Sequence, residues 1–144
     1  MIETRLDKNF KIKGFFDEET STISYVVYDM TSKKCAVIDS VLDFDFSSGT
    51  IDYHNAEKII SFIEKMKLDL EWLIETHVHA DHLSASPYIQ KKLGGKIGIS
   101  EKISDIQNIF GKTFNAGTEF QRDGSQFDRS VSYTHLTLPT SQYV

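Results

Sequence analysis

The sequence predicts an α/β domain, and three features carry that prediction. Runs of β-branched and aromatic residues at 22–30 and 35–39 read as strands. Between 56 and 67 the apolar residues Ala56, Ile59, Ile60, Ile63 and Met66 fall on one side of a 3.6-residue period, the stripe of an amphipathic helix. A third apolar run, 70–75, follows that helix at once. Strand 35–39, helix 56–67 and strand 70–75 therefore form a βαβ unit, which implies parallel pairing through a right-handed crossover.

The remaining elements fall in order around this unit. Residues 6–16 mix apolar and charged side chains in rough alternation and read as an early strand. The polar stretch 31–34 turns the chain from strand 22–30 into strand 35–39, whose short apolar run suggests burial on both faces. The stretch 43–52 is polar, contains Gly49, and reads as a loop. Asn55 stands where an N-cap for the helix belongs. Residues 84–93 read as a second helix, with Pro87 tolerated in its first turn and Gly94-Gly95 as its stop rather than a phosphate-binding loop. A short strand at 96–99 and a helix at 100–110 complete the pattern, without internal repeats or low-complexity segments.

Composition narrows the classes of function. At 144 residues the chain is about one domain long, with ordinary globular fractions of hydrophobic (40%) and charged (26%) residues. Its net charge of −5 argues against a nucleic-acid partner, which would require a basic face. A lone cysteine, Cys35, excludes an internal disulfide framework and fits a reducing compartment. Mid-strand, it reads as a small buried hydrophobe rather than a nucleophile. The N-terminus has no apolar signal-like run and no segment approaches membrane-spanning length, so the expectation is a soluble, cytoplasmic protein without a membrane partner. A homo-oligomer is compatible with all of this.

The chemistry concentrates in Thr76-His77-Val78-His79-Ala80-Asp81-His82. Three of the five histidines of the chain lie within these six positions from His77 to His82, spaced with an aspartate as His-x-His-x-Asp-His. Neutral imidazole and carboxylate are ligands that zinc, iron and manganese accept. A stretch leaving a strand in extended form sends His77 and His79 to the same side, so they can share one metal. Asp81 and His82 then turn toward a neighbouring position where a second metal can sit. Ligands of parallel sheets gather outside the carboxyl ends of the strands, which is where this motif begins. Asp39 ends a strand beside the same place and can orient an imidazole, or simply close a turn. His54, on a polar loop, reads as a surface residue.

Three blocks carry a family resemblance: Phe16-Asp17-x-x-Thr20-x-Thr22-x-Ser24-Tyr25-Val26-Val27, Ala36-Val37-Ile38-Asp39-x-Val41-Leu42-Asp43-Phe44-Asp45 with Ser48-Gly49, and Glu75 through Ala85 around the histidines. Residues 10 to about 129 resemble the N-terminal part of a metallo-β-lactamase-fold enzyme, closest to the persulfide dioxygenase branch near glyoxalase II. The resemblance implies a four-layer αββα sandwich, truncated here to its N-terminal half. It implies an iron-dependent dioxygenase that oxidises glutathione persulfide to sulfite, with one Fe(II) held by two histidines and an aspartate. The alternative it implies is a glyoxalase II-like hydrolase of thioesters with two Zn(II). His77 is a ligand in both modes. His79, Asp81 and His82 ligate in the two-metal mode, where Asp81 also serves catalysis, and in the iron mode Asp81 and His82 stand by.

A complete member of that family continues past 129 with a third histidine in a His-Thr-Pro-Gly-His-like turn and a bridging aspartate, neither of which is present. Residues 131–140 instead resemble the translation of a transposon-end sequencing adaptor. The expected organisation is a partial domain over 1–130 and a non-native tail over 131–144. His135, in that tail, is not assigned to the metal. The 144-residue chain by itself is expected to be inactive and to bind metal weakly through His77 and His79.

Overall fold

The computed structural model describes residues 9–77 and 83–99, and the backbone of Ser100 and of 129–131. Ser100, expected to open a helix, instead ends a strand, while the rest of that expected helix at 101–110, the start of the first strand at 6–8 and the tail from 132 lie outside the described residues.

Strands β1 (Phe10–Asp17), β2 (Thr22–Asp29) and β3 (Lys34–Ile38) form an antiparallel meander. Helix α1 (His54–Lys65) then carries the chain over to β6 (Asp69–Glu75), which pairs parallel with β3. Strand β8 (Lys96–Ser100) extends the sheet in parallel beyond β6, and the backbone of β9 (Arg129–Val131) extends it once more, giving the order β1-β2-β3-β6-β8-β9. The βαβ unit expected from the sequence is therefore present, at the centre of a mixed sheet.

The stretch 43–52 is not the loop its polarity suggested. Strands β4 (Val41–Asp45) and β5 (Thr50–Asp52) form a hairpin there, joined by a turn in which Asp45 accepts hydrogen bonds from Ser47 and Ser48. A third short strand, β7 (Leu83–Ser84), pairs with β4 to make a second, three-stranded sheet in the order β5-β4-β7. Accordingly α2 begins at Ser86, not at 84, and runs to Leu93. Gly94 and Gly95 stop it as expected. Both have positive φ (+78° and +89°), and a Cβ on Gly95 would lie 3.2 Å from the Leu70 carbonyl oxygen.

Helix α1 buries Ala56, Ile59, Ile60 and Ile63 against the main sheet, as its stripe requires. It ends two residues earlier than the stripe suggests, in a Schellman closure. Leu68 N–H donates to the Ile63 carbonyl and Lys67 N–H to that of Glu64, with Lys67 in the left-handed region that glycine usually takes. Its N-terminus also differs from expectation. Asn55 is not the cap: the helix starts at His54, and Asp43 on β4 reaches across to accept the Asn55 N–H at 2.8 Å. The Asn55 side chain is thereby released to donate to both Asp43 (2.5 Å) and Asp17 (3.1 Å), tying the end of β1 to β4 and α1.

That tie predicts a pH dependence. Burial raises the Asp17 carboxyl pKa, but hydrogen bonds from the Thr20 side chain and backbone, from Asn55 and from the Glu19 backbone together outweigh it, so the pKa lies below its ordinary 3.8. A carboxylate with a depressed native pKa stabilises the fold fully above its unfolded value and loses that contribution as pH falls below it. Asp17→Asn is expected to flatten the fall in melting temperature below about pH 4 relative to the parent. An unchanged acid limb would refute the assignment.

The core lies between α1, α2 and one face of the main sheet, with Val26, Val37, Leu73, Ile59, Ile63 and Ile89 wholly buried. Phe62 packs edge-on against Phe15 and Tyr28 at centroid distances of 5.8 and 5.6 Å. Strand β3 buries Cys35 and Val37 on this face while Ala36 and Ile38 stay half-buried, so burial on both faces is only partly realised. Along β1 the alternation is equally clear. Phe15 enters the core, whereas Phe10, Ile12 and Phe16 are 47, 60 and 57% exposed on the opposite face, with Ile23 paired beside Phe16. Among the described residues no helix is long and apolar enough to cross a membrane.

Candidate metal centre

The site is built where β3 and β6 end side by side. Register places Ile38 beside Ile74, so the next residues, Asp39 and Glu75-Thr76-His77, emerge at one edge of the sheet. Asp39 occupies the left-handed region at φ +52°, a conformation that Asp tolerates better than β-branched residues do. Its amide donates to the Ile74 carbonyl at 2.9 Å, and its own carbonyl accepts from the buried Ser24 hydroxyl on β2 at 2.8 Å. The strained residue is thus held by both neighbouring strands.

The Asp39 carboxylate then grips the start of the histidine motif. Oδ1 accepts the Thr76 N–H at 2.8 Å and Oδ2 the Thr76 hydroxyl at 2.6 Å. The same hydroxyl oxygen lies 2.8 Å from His77 Nδ1. A hydroxyl has one hydrogen, and a carboxylate can only accept it, so Thr76 Oγ1 must accept from Nδ1–H. His77 is thereby fixed as the Nδ1–H tautomer, and the lone pair of Nε2 is the one presented for coordination. His77 itself is exposed at the edge of the sheet. This is the arrangement a metal-ligating histidine needs, so the residues present fit the metal that the motif implies.

His79, Asp81 and His82 lie outside the described residues, as does His135. Among the described residues no group of three His, Cys, Asp or Glu side chains is placed to hold a metal ion. Just past the motif, Leu83 and Ser84 pair with Leu42 and Val41 of β4, so both ends of the motif are anchored to neighbouring strands.

The other candidates resolve differently. Asp39 does take the orienting role, acting on His77 through Thr76. Cys35 is buried, and burial, with Asp69 and Glu71 nearby, pushes its thiol up to about 12, which makes it a packing group. His54 is exposed on the first turn of α1.

Sequence reasoning gave no role to Glu75, Ser84, Ser86 or Ser40. Glu75 is buried at the end of β6, and its Oε1 accepts hydrogen bonds from the hydroxyls of Ser84 and, at 2.6 Å, of Ser86. Ser86 sits 3.3 Å from the Ser40 hydroxyl, and Ser40 accepts the Ala85 N–H at its carbonyl. The signal available in sequence was slight: small hydroxyl residues flanking the motif, and a carboxylate at a strand position whose neighbours are apolar.

A mixed sheet carrying helices on one face, with an oriented histidine at the carboxyl ends of its parallel strands, defines an α/β domain with a candidate metal site. The chain belongs to the metallo-beta-lactamase superfamily, whose family model matches residues 18–139. It is similar to a probable metallo-hydrolase of Burkholderia pseudomallei, 50% identical over 118 residues that make up 82% of this chain and 40% of that protein. It is also similar to Glyoxylase B2 of Dictyostelium discoideum, 38% identical over 120 residues, 83% of this chain and 41% of that one. The mitochondrial persulfide dioxygenase ETHE1 of Homo sapiens is 25% identical over 96 residues, 67% of this chain and 34% of its own length. The chain thus spans well under half of each of these relatives.

Proposed function

We propose that the whole protein is a mononuclear iron dioxygenase that oxidises a low-molecular-weight persulfide, with glutathione persulfide as the type substrate, in a reducing compartment. The observation that supports metal chemistry is the Asp39–Thr76–His77 relay, which presents one imidazole nitrogen at the edge of the sheet. The choice of dioxygenase rests on the three sequence blocks around β2, β3 and the histidines, and on the likeness to the human persulfide dioxygenase. His77 would hold the iron, with the remaining ligands coming from His79 or from beyond residue 129. Bound Fe(II) supplies coordination positions for a thiolate and for O₂. In the overall reaction one persulfide, one O₂ and one water give the thiol, sulfite and two protons.

For their part, the residues of this chain orient and confine. Asp39 holds Thr76, Thr76 holds the His77 ring, and Glu75 with Ser84 and Ser86 holds the far side of the motif.

A second reading is a glyoxalase II-like thioesterase, favoured by Asp81-His82, which add donors for a second metal, and by the 38% identity to Glyoxylase B2. In that class two metals generate hydroxide near neutral pH. One experiment separates the readings. The full-length protein is expected to consume O₂ with glutathione persulfide and to hydrolyse S-lactoylglutathione slowly or not at all. The reverse pattern would select the thioesterase.

A further inference from the structure

A buried carboxyl group on a strand is costly unless it is satisfied, and such groups are retained where they hold something in place. Glu75 is 4% exposed and sits one residue before the Thr76 that Asp39 grips. Its Oε1 takes hydrogen bonds from two hydroxyls that lie beyond the other end of the histidine motif. The donor on Ser84 belongs to β7 and the donor on Ser86 opens α2. The Ser84 hydroxyl oxygen also accepts the Ser86 N–H at 3.1 Å, so the first turn of α2 is drawn onto the same carboxyl group. Since Ser86 donates to Glu75, its oxygen is open to the Ser40 hydroxyl at 3.3 Å, which roots the cluster at the end of β3.

We propose that Glu75 is a positioning residue for the metal centre: it clasps the exit of the 77–82 motif to its entry, as Asp39 clasps the entry alone. The clasp ties the residue that precedes the motif to the two hydroxyls that follow it, so its described ends are held together. The clasp therefore preorganises the ligand set and acts on metal affinity more than on folding. The inference rests on the metal-site reading above, but not on which reaction the metal supports.

The test is the Fe(II) dissociation constant of the full-length protein, measured anaerobically by chelator competition beside the melting temperature of the metal-free form. Glu75→Ala is expected to weaken Fe(II) binding about 10- to 100-fold, the usual cost of losing a residue that supports a ligand. Glu75→Gln keeps an acceptor oxygen and is expected to restore most of that affinity. Should Glu75→Ala fail to fold, the combined variant Glu75→Leu, Ser84→Ala, Ser86→Ala removes the carboxyl group and both its hydroxyl donors together, leaving only the Ser86 N–H and the Ser40 hydroxyl to pair anew, and costs less in folding. It is expected to melt near the parent and still bind Fe(II) weakly. Ile63→Val, a core change far from the motif, is expected to lower melting and leave Fe(II) affinity unchanged. Parent-like affinity in the combined variant, or an equal loss in Ile63→Val, would overturn the clasp. A parent that binds no Fe(II) would overturn both the clasp and the metal reading. Tight Fe(II) binding without O₂ uptake would remove only the dioxygenase reading.

Discussion

His77→Ala in the full-length protein is expected to lose both its iron and its activity, whereas Asp81→Ala keeps about one iron per chain and measurable O₂ uptake. The two residues lie four positions apart in one motif, and the two enzyme readings assign them different duties. In the two-metal mode Asp81 ligates the second metal, so its removal empties that position and cripples hydroxide formation. In the one-iron mode His77 is a ligand and Asp81 at most supports one. Losing a supporting residue typically costs 10- to 100-fold in affinity or activity, and losing a ligand costs more. Geometry sharpens the expectation for His77. Its ring is already oriented through Thr76 and Asp39, so alanine discards a preorganised donor, not a mobile one. Metal content by elemental analysis, beside O₂ uptake with glutathione persulfide, reads both variants. Two metals per parent chain, falling to one in Asp81→Ala with activity abolished, would leave the binuclear hydrolase standing.

How much of this was legible in the sequence follows from the range of the interactions involved. Helix α1 and the strands it joins were legible because periodicity is local: Ala56, Ile59, Ile60 and Ile63 repeat on one face whatever they pack against. The hairpin of β4 and β5 was not, because strands of five and three residues carrying Asp43, Asp45 and Asp52, joined through Ser47-Ser48-Gly49, look like a loop until pairing is known. The Asn55 cap failed for a related reason. The carboxylate that meets the helix N-terminus comes from Asp43, on a strand the sequence did not reveal. At the candidate site, the place of His77 past the end of β6 was legible from the strand before it, and that of Asp39 from its strand-end position. Thr76 and Glu75 were not, because their roles arise from contacts made only after β3, β6 and α2 converge. Asp39 and Thr76 are 37 residues apart, and Ser40 and Ser86 are 46 apart. No local pattern encodes such pairs.

The relay through Thr76 carries the other large expected effect. Thr76 does three things at once: its amide and hydroxyl satisfy both oxygens of Asp39, and its hydroxyl oxygen fixes the His77 tautomer. Thr76→Val keeps the shape and the amide but removes the hydroxyl, leaving one Asp39 oxygen without its partner from this residue and the His77 ring free to choose either tautomer. In the tautomer carrying hydrogen on Nε2, the nitrogen that should bind metal has no lone pair. Metal affinity is expected to fall about 10- to 100-fold, or roughly 1.4 to 2.8 kcal/mol. Thr76→Ser restores the hydroxyl at the cost of one methyl group and is expected to recover most of the loss. Asp39→Asn tests the same relay from its far end. An amide at Oδ2 would donate to the Thr76 oxygen instead of accepting from it, and the hydroxyl hydrogen would then turn toward Nδ1, selecting the tautomer that cannot bind metal through Nε2. Chelator competition on the full-length protein measures all three variants, and ¹⁵N chemical shifts of the His77 ring in the metal-free protein report the tautomer directly. A His77 ring that keeps its hydrogen on Nδ1 in both Thr76→Val and Asp39→Asn would show that the relay does not set it.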